Sequence, residues 1–149
     1  MIEKVQKWLS CVHSLASAAE EFPHSAHTVL TKSLQHKWGY IMCVVSGAEN
    51  YLNPLREALQ NHFLPNLTAL DLTLDEKNLM CKPVRHVGMG IDDPVFNAPI
   101  AFERSQQSTL LTKAIKTGQG VNLTDYESDI HINKNQARIS KDTQIRQEI

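Results

Sequence analysis

A chain of 149 residues with 42% hydrophobic content is long enough for one ordinary domain with its own core. Fifteen Lys and Arg against sixteen Asp and Glu leave a formal charge of -1. That balance excludes a global basic field drawing the chain to nucleic acid or anionic lipid, so any such binding has to be local. Cys11, Cys43 and Cys81 are an odd number at wide spacing, which points to reduced thiols in an intracellular compartment, cytoplasmic or nuclear. The start, MIEKVQKWLS, carries charge where a secretion signal needs an apolar run. Asn66-Leu67-Thr68 and Asn122-Leu123-Thr124 match the glycosylation acceptor pattern, and in an intracellular setting they are chance matches.

The pattern is mostly α. Ile2, Val5, Leu9, Val12, Ala16 and Ala19 recur three and four apart with polar residues between them, which predicts a first amphipathic helix over residues 2–21. Its second half, SLASAAE, is rich in small residues and lets a neighbouring backbone come close. Phe22, ahead of Pro23, is pushed out of the α region, while Pro23 suits the first turn of a new helix. The second helix, Pro23 to Val45, is the stretch around which the chain is organised. Ala26, Leu30, Leu34, Trp38, Ile41 and Val45, with Val29 and Met42 beside them, form its apolar stripe, and the reversal at Pro23 predicts an antiparallel hairpin with the first helix. Trp38 is expected to anchor that hairpin, and Gly39 to mark close packing. Ser46-Gly47 reads as a stop, Asn53-Pro54 as the next start and Pro65 as the end of a third helix on which Leu55, Leu59 and Phe63 face inward.

Four sections follow from this: residues 1–65 as hairpin plus third helix, 66–93 as an irregular linker, 94–118 as a fourth helix and 119–149 as a polar tail. Within the linker, Thr73-x-x-Glu76 reads as a capping box for a short helix ending before Lys82-Pro83, and residues 83–91 as an irregular glycine loop. The fourth helix begins at Asp93-Pro94 or at Pro99 and has Ile100, Leu111, Ala114 and Ile115 on its apolar side, with Gly118 as its stop. The tail, in which Thr124-x-x-Glu127 offers a start, is either a weak helix or disordered.

Chemistry-bearing clusters are sparse. His24 and His27 stand one turn apart, but no third and fourth ligand converges on them, so solvated helix-end histidines are expected and no metal or cofactor is implied. Cys11 and Cys43 read as small buried hydrophobes, Gly88-Met89-Gly90 as a turn, and Asp92-Asp93 as a helix cap in preference to a Mg²⁺ site. Lys32, His36 and Lys37 line the wet side of the second helix, where they reach phosphates at positions about one turn apart. They are the candidate nucleic-acid-binding residues, weighed against a merely solvated face.

The stretches FPHSAHTVLTKSLQHKWGYIMCVV and LNPLREALQNHFLPNLTAL resemble the helical region downstream of the polymerase palm in reverse-transcriptase-like proteins encoded by eukaryotic mobile elements. Trp38-Gly39-Tyr40 and Phe63-Leu64-Pro65 carry the likeness. The run from Pro83 to Ile91 is similar to a Pro-x-Arg-x-Gly-Gly-x-Gly-Ile loop, with Val87 standing where its first glycine would be. The likeness covers residues 3–117 and includes none of the carboxylates that a two-metal polymerase centre needs. It implies a non-catalytic, thumb-like or connector fragment that supports primer–template nucleic acid, its partner the palm of a parent polymerase. The rival expectation is a helical protein-interaction module holding a partner helix in an apolar groove between the second and third helices. Lys32, Lys37 and three histidines interrupt the second helix as a membrane span.

Overall fold

The computed structural model describes residues 1–120 and 122–148, the side chains of Leu111 and Glu148 excepted. Among them the chain forms seven helices and no strand. Helix α1 is Ile2–Glu21, and Val5, Trp8, Val12, Ala16 and Ala19 turn its apolar stripe inward. Phe22 then reverses the chain at φ −127° and ψ 66°, outside the α region, and Pro23 opens α2.

Helix α2 spans residues 23–44 in three parts: an α segment Pro23–Val29, a π turn Leu30–Leu34 and a second α segment Gln35–Val44. The π turn has a cause in the stripe itself. Ala26, Leu30, Leu34 and Trp38 are all buried and all four apart, so in a regular helix each step would carry the stripe about 40° round the axis. One wide turn inserts an extra residue and returns the later positions to the core. Helix α3, residues 49–68, repeats the device: Glu49–Ala58, a π turn Leu59–Phe63 and Leu64–Thr68, with buried Leu55, Leu59 and Phe63 again at spacing four.

The third helix therefore begins earlier and ends later than its prolines predict. Burial of Ala48 and Leu52 draws the start to Glu49. Pro54 lies inside the helix, where the carbonyl that it leaves without a donor belongs to exposed Asn50. Pro65 does not end the helix because it comes two residues after the π turn, whose wide backbone already breaks the regular ladder. The stop is Ala69, in the left-handed conformation.

The small residues of α1 let α3 approach, and Asn66 Nδ2 donates to the Ala16 carbonyl at 2.9 Å. The N-terminal part of α2 lies against the C-terminal part of α3. Toward their other ends, helix α5 (Pro94–Ser108) rests on both. The apolar groove expected between the second and third helices is thus occupied by the chain's own α5, through buried Ala98 and half-buried Val95 and Ala101. Trp38 is 0% exposed and meets Trp8 at 6.2 Å between ring centroids. Gly39 does not mark close packing, since a Cβ there would meet nothing within 4 Å.

Between α3 and α5 the capping box forms as predicted: Thr73 caps helix α4, Leu74–Met80. Asp93 Oδ1 accepts from the Val95 and Phe96 amides at 3.1 and 3.2 Å, so α5 starts at Pro94 and Pro99 sits inside it. The single fourth helix expected to residue 118 breaks at Thr109 into α5 and α6 (Leu110–Lys116). Ile115 faces solvent, and the expected inward place of Leu111 lies outside the described side chains. Gly118, at φ +70°, is the stop. The tail is helical: α7 runs Leu123–Glu148 and packs on α5.

Candidate functional site

The three sequence-predicted residues, Lys32, His36 and Lys37, are all exposed on α2. Lys32 and His36 lie two residues out of step with the buried Leu30, Leu34 and Trp38, and Lys37, beside His36, borders the same wet side of the helix. Tyr40, one turn beyond His36, is 70% exposed and extends the same face with an aromatic ring. From Phe22 to Ala48 the chain contains no Asp or Glu, so the face carries cations, imidazole and hydroxyls without a carboxylate of its own. The acid acting on it from outside is Asp92, which is within electrostatic reach of His36.

A second site was not visible in the sequence. The backbone from Lys82 to Asp93 is folded into a tight structure: a 3-10 turn Val84–His86, then a return along the end of α4 with Met89 N–H donating to the Met80 carbonyl and Gly90 N–H to that of Lys82. Gly88 is obligatory there, because a Cβ would stand 1.8 Å from the Lys82 carbonyl oxygen. Val87 takes φ +66°, a left-handed conformation that a β-branched residue rarely adopts. That is the position where the resembling loop pattern has glycine.

A buried glutamine just after the first π turn holds this segment, and one inside the second π turn holds α4 beside it. Gln35 Nε2 donates to the Gly90 carbonyl at 3.4 Å while its Oε1 accepts from the Asp92 amide at 3.3 Å. Gln60 Nε2 donates to Asn78 Oδ1 at 3.3 Å. His27 Nε2 lies 2.9 Å from the Met89 carbonyl, so it is a tertiary clamp and not the solvated helix-end histidine expected. The one signal available beforehand was a glutamine lying between the core positions of each helix. Among the described residues, no three His, Cys, Asp or Glu side chains form a group able to hold a metal ion.

The held segment walls a cavity of about 480 Å³ together with α3, α5 and α7. Arg56 reaches into it from α3 and pairs with Asp93 at 3.1 Å. Lys82 is buried, its ammonium 5.5 Å from the centroid of the Phe96 ring. Asp92 Oδ1 accepts from Asn97 Nδ2 at 3.3 Å, leaving Asn97 Oδ1 buried with no hydrogen-bond partner. Lys141 and Ile145 enter from α7. Burial pushes the Asp92 carboxyl above its usual range against the pull of Lys141 and His36, and it lowers the Lys141 ammonium. Burial, reinforced by Asp93, raises the Cys81 thiol to about 12, so this cysteine is an inert wall residue at neutral pH. Cys11, expected to be buried, is exposed.

Helix α7 is fastened beside the cavity by one carboxylate. Asp142 Oδ1 accepts from Arg85 Nε at 3.2 Å and Nη2 at 2.5 Å, and stands 3.2 Å from His86 Nε2. Asp93, the expected cap, does cap α5. Comparison with protein families, with curated proteins and with solved structures finds no significant match in any of the three.

Proposed function

We propose that this chain is a non-catalytic helical support for nucleic acid, a thumb-like or connector piece of a reverse-transcriptase-like protein, working in the cytoplasm or nucleus. The observation that carries the reading is the exposed, carboxylate-free face of α2. There Lys32, His36 and Lys37 offer phosphate contacts and Tyr40 offers a stacking surface one turn further on. Three cations at most give a shallow dependence on salt, near −0.9 per contact on duplex DNA, and affinity in the non-specific range of about 10⁻⁴ to 10⁻⁶ M at physiological salt.

A fluorescence-anisotropy titration with an RNA–DNA hybrid at several salt concentrations tests it. The Lys32→Ala, Lys37→Ala variant is expected to bind more weakly, with a slope smaller by about two contacts. Equal binding by the native chain and the variant would sink the reading.

A second reading, a protein-interaction module, is supported by a different observation. Leu70, Leu74, Leu79, Val84 and Val87 are all exposed between residues 70 and 87, and exposed apolar side chains concentrated in one region mark interaction sites. Under the first reading that stretch faces the palm of a parent polymerase; under the second it faces another helical protein. No helix among the described residues is long and apolar enough to cross a membrane.

A further inference from the structure

The cavity between the 82–93 segment, α5 and α7 has no part in nucleic-acid contact, and its wall chemistry is unlike that of the α2 face. We propose that it is a binding site for a small zwitterion with an apolar body, of the class of the neutral α-amino acids. The ammonium is received by Asp92, the carboxylate by Arg56 and Lys141, and the side chain rests on Phe96 and Ile145.

Three features of the wall lead to this class. Its charged groups are of both signs, Arg56, Lys82 and Lys141 with Asp92 and Asp93, so a simple anion and a simple cation each meet like charge in the wall. The two poles of an α-amino acid are only one carbon apart and match such a wall of mixed sign. Asp93 is fully engaged, capping α5 through Oδ1 and pairing with Arg56 through Oδ2. Asp92 is not: it accepts from Asn97 Nδ2 through Oδ1, and its carboxylate has lone pairs left for a further donor. An ammonium supplies three donors. The directions of the Asp92 and Lys141 shifts agree, because each charge is incompletely compensated by its surroundings and gains from an added opposite charge. A volume of about 480 Å³ lies in the range of small-molecule sites. Ile145 and Lys141 belong to α7, so occupancy also holds that helix in place.

The test is a ¹H–¹⁵N NMR titration of the full chain with L-leucine and other neutral amino acids, run beside 3-methylbutylamine, which lacks the carboxylate, and N-acetyl-L-leucine, which lacks the ammonium. At least one neutral amino acid is expected to shift the amides of Ile91, Asn97 and Ile145, with both truncated analogues weaker by roughly tenfold or more. Asp92→Asn, which can still accept from Asn97, and Lys141→Gln on the half-exposed face of α7 are each expected to abolish the amino-acid shifts while far-ultraviolet circular dichroism stays native. Absence of shifts at those amides for every neutral amino acid means that the site holds ordered water only and overturns the proposal. Equal binding of the amine alone overturns it too. Neither result touches the α2 face, whose test uses a different ligand and different residues.

Discussion

The first three helices and the last one are both long, yet they are held by different forces. Helices α1, α2 and α3 present continuous apolar stripes to each other, and Val12, Leu30, Trp38, Leu52, Leu55 and Phe63 at their junction are wholly buried. Helix α7 has no such stripe. Among the described residues its fully buried side chain is Ile145, and its polar attachments include the Asp142 clasp to Arg85 and His86, Lys141 in the cavity wall and the Tyr126 hydroxyl donating to the Ser108 carbonyl at 3.4 Å. Apolar burial is non-directional and sums with area, whereas exposed ion pairs contribute little each and are screened by salt. The comparison therefore sets a cooperative three-helix unit, wedged open by α5, against a helix that is docked on it and able to leave.

The largest expected effect breaks the first half of that comparison. Trp38→Ala removes the largest fully buried side chain and should cost about 3–5 kcal/mol in urea unfolding. A midpoint unchanged within error would mean that the α1–α2 junction is not the core. Ile145→Ala tests the other half: a loss of roughly 2 kcal/mol, the low end for such a truncation, is expected to appear as faster hydrogen exchange in α7. Amides of α1 to α3 should stay as protected as in the native chain, and uniform acceleration would show that α7 belongs to the cooperative unit.

A gain of about 1 kcal/mol is expected for Gly39→Ala, because the new methyl enters open space and the helix loses its most flexible residue. A loss in the same urea titration would reveal a packing role for the glycine.

The last effect is a dependence on pH confined to α7. The hydrogen bonds from Arg85, and after them that from His86, hold Asp142 below its ordinary value of 3.8. Its contribution is therefore present above pH 3.8 and is lost as the pH falls through the lower folded value. Asp92 has the opposite sign. Its folded value is raised by burial, so the neutral form is favoured in the fold, and what it contributes below pH 3.8 is lost as the pH rises through the folded value. Exchange protection in α7 should hold or improve on acidification towards pH 3.8 and decline below it. A steady decline from neutral pH would show that the Asp92 site is not desolvated.

Much of this molecule was legible as pattern. The capping box at Thr73 and Glu76, the reversal at Phe22-Pro23, the stop at Gly118 and the inward stripe of α1 follow from local sterics and periodicity, which act within a few residues. The exposed side of α2 that carries Lys32, His36 and Lys37 was legible as a face for the same reason. Prolines misled where they were read as boundaries, because Pro54 and Pro99 sit at the sixth position of helices whose starts are set by burial and by the Asp93 cap.

The sequence by itself determined that the chain is helical, where most of its helices lie and which side of α2 is wet, since these depend on neighbours three and four residues away. Only the tertiary structure decided that spacing-four stripes are accommodated by π turns and that α5 fills the space between α2 and α3. It also decided that Gln35, His27 and Asp142 bind backbone or side chains 55, 62 and 56 or 57 residues distant. Those contacts are single polar pairs made across the chain, and no local periodicity records which distant group a buried amide or carboxylate will meet.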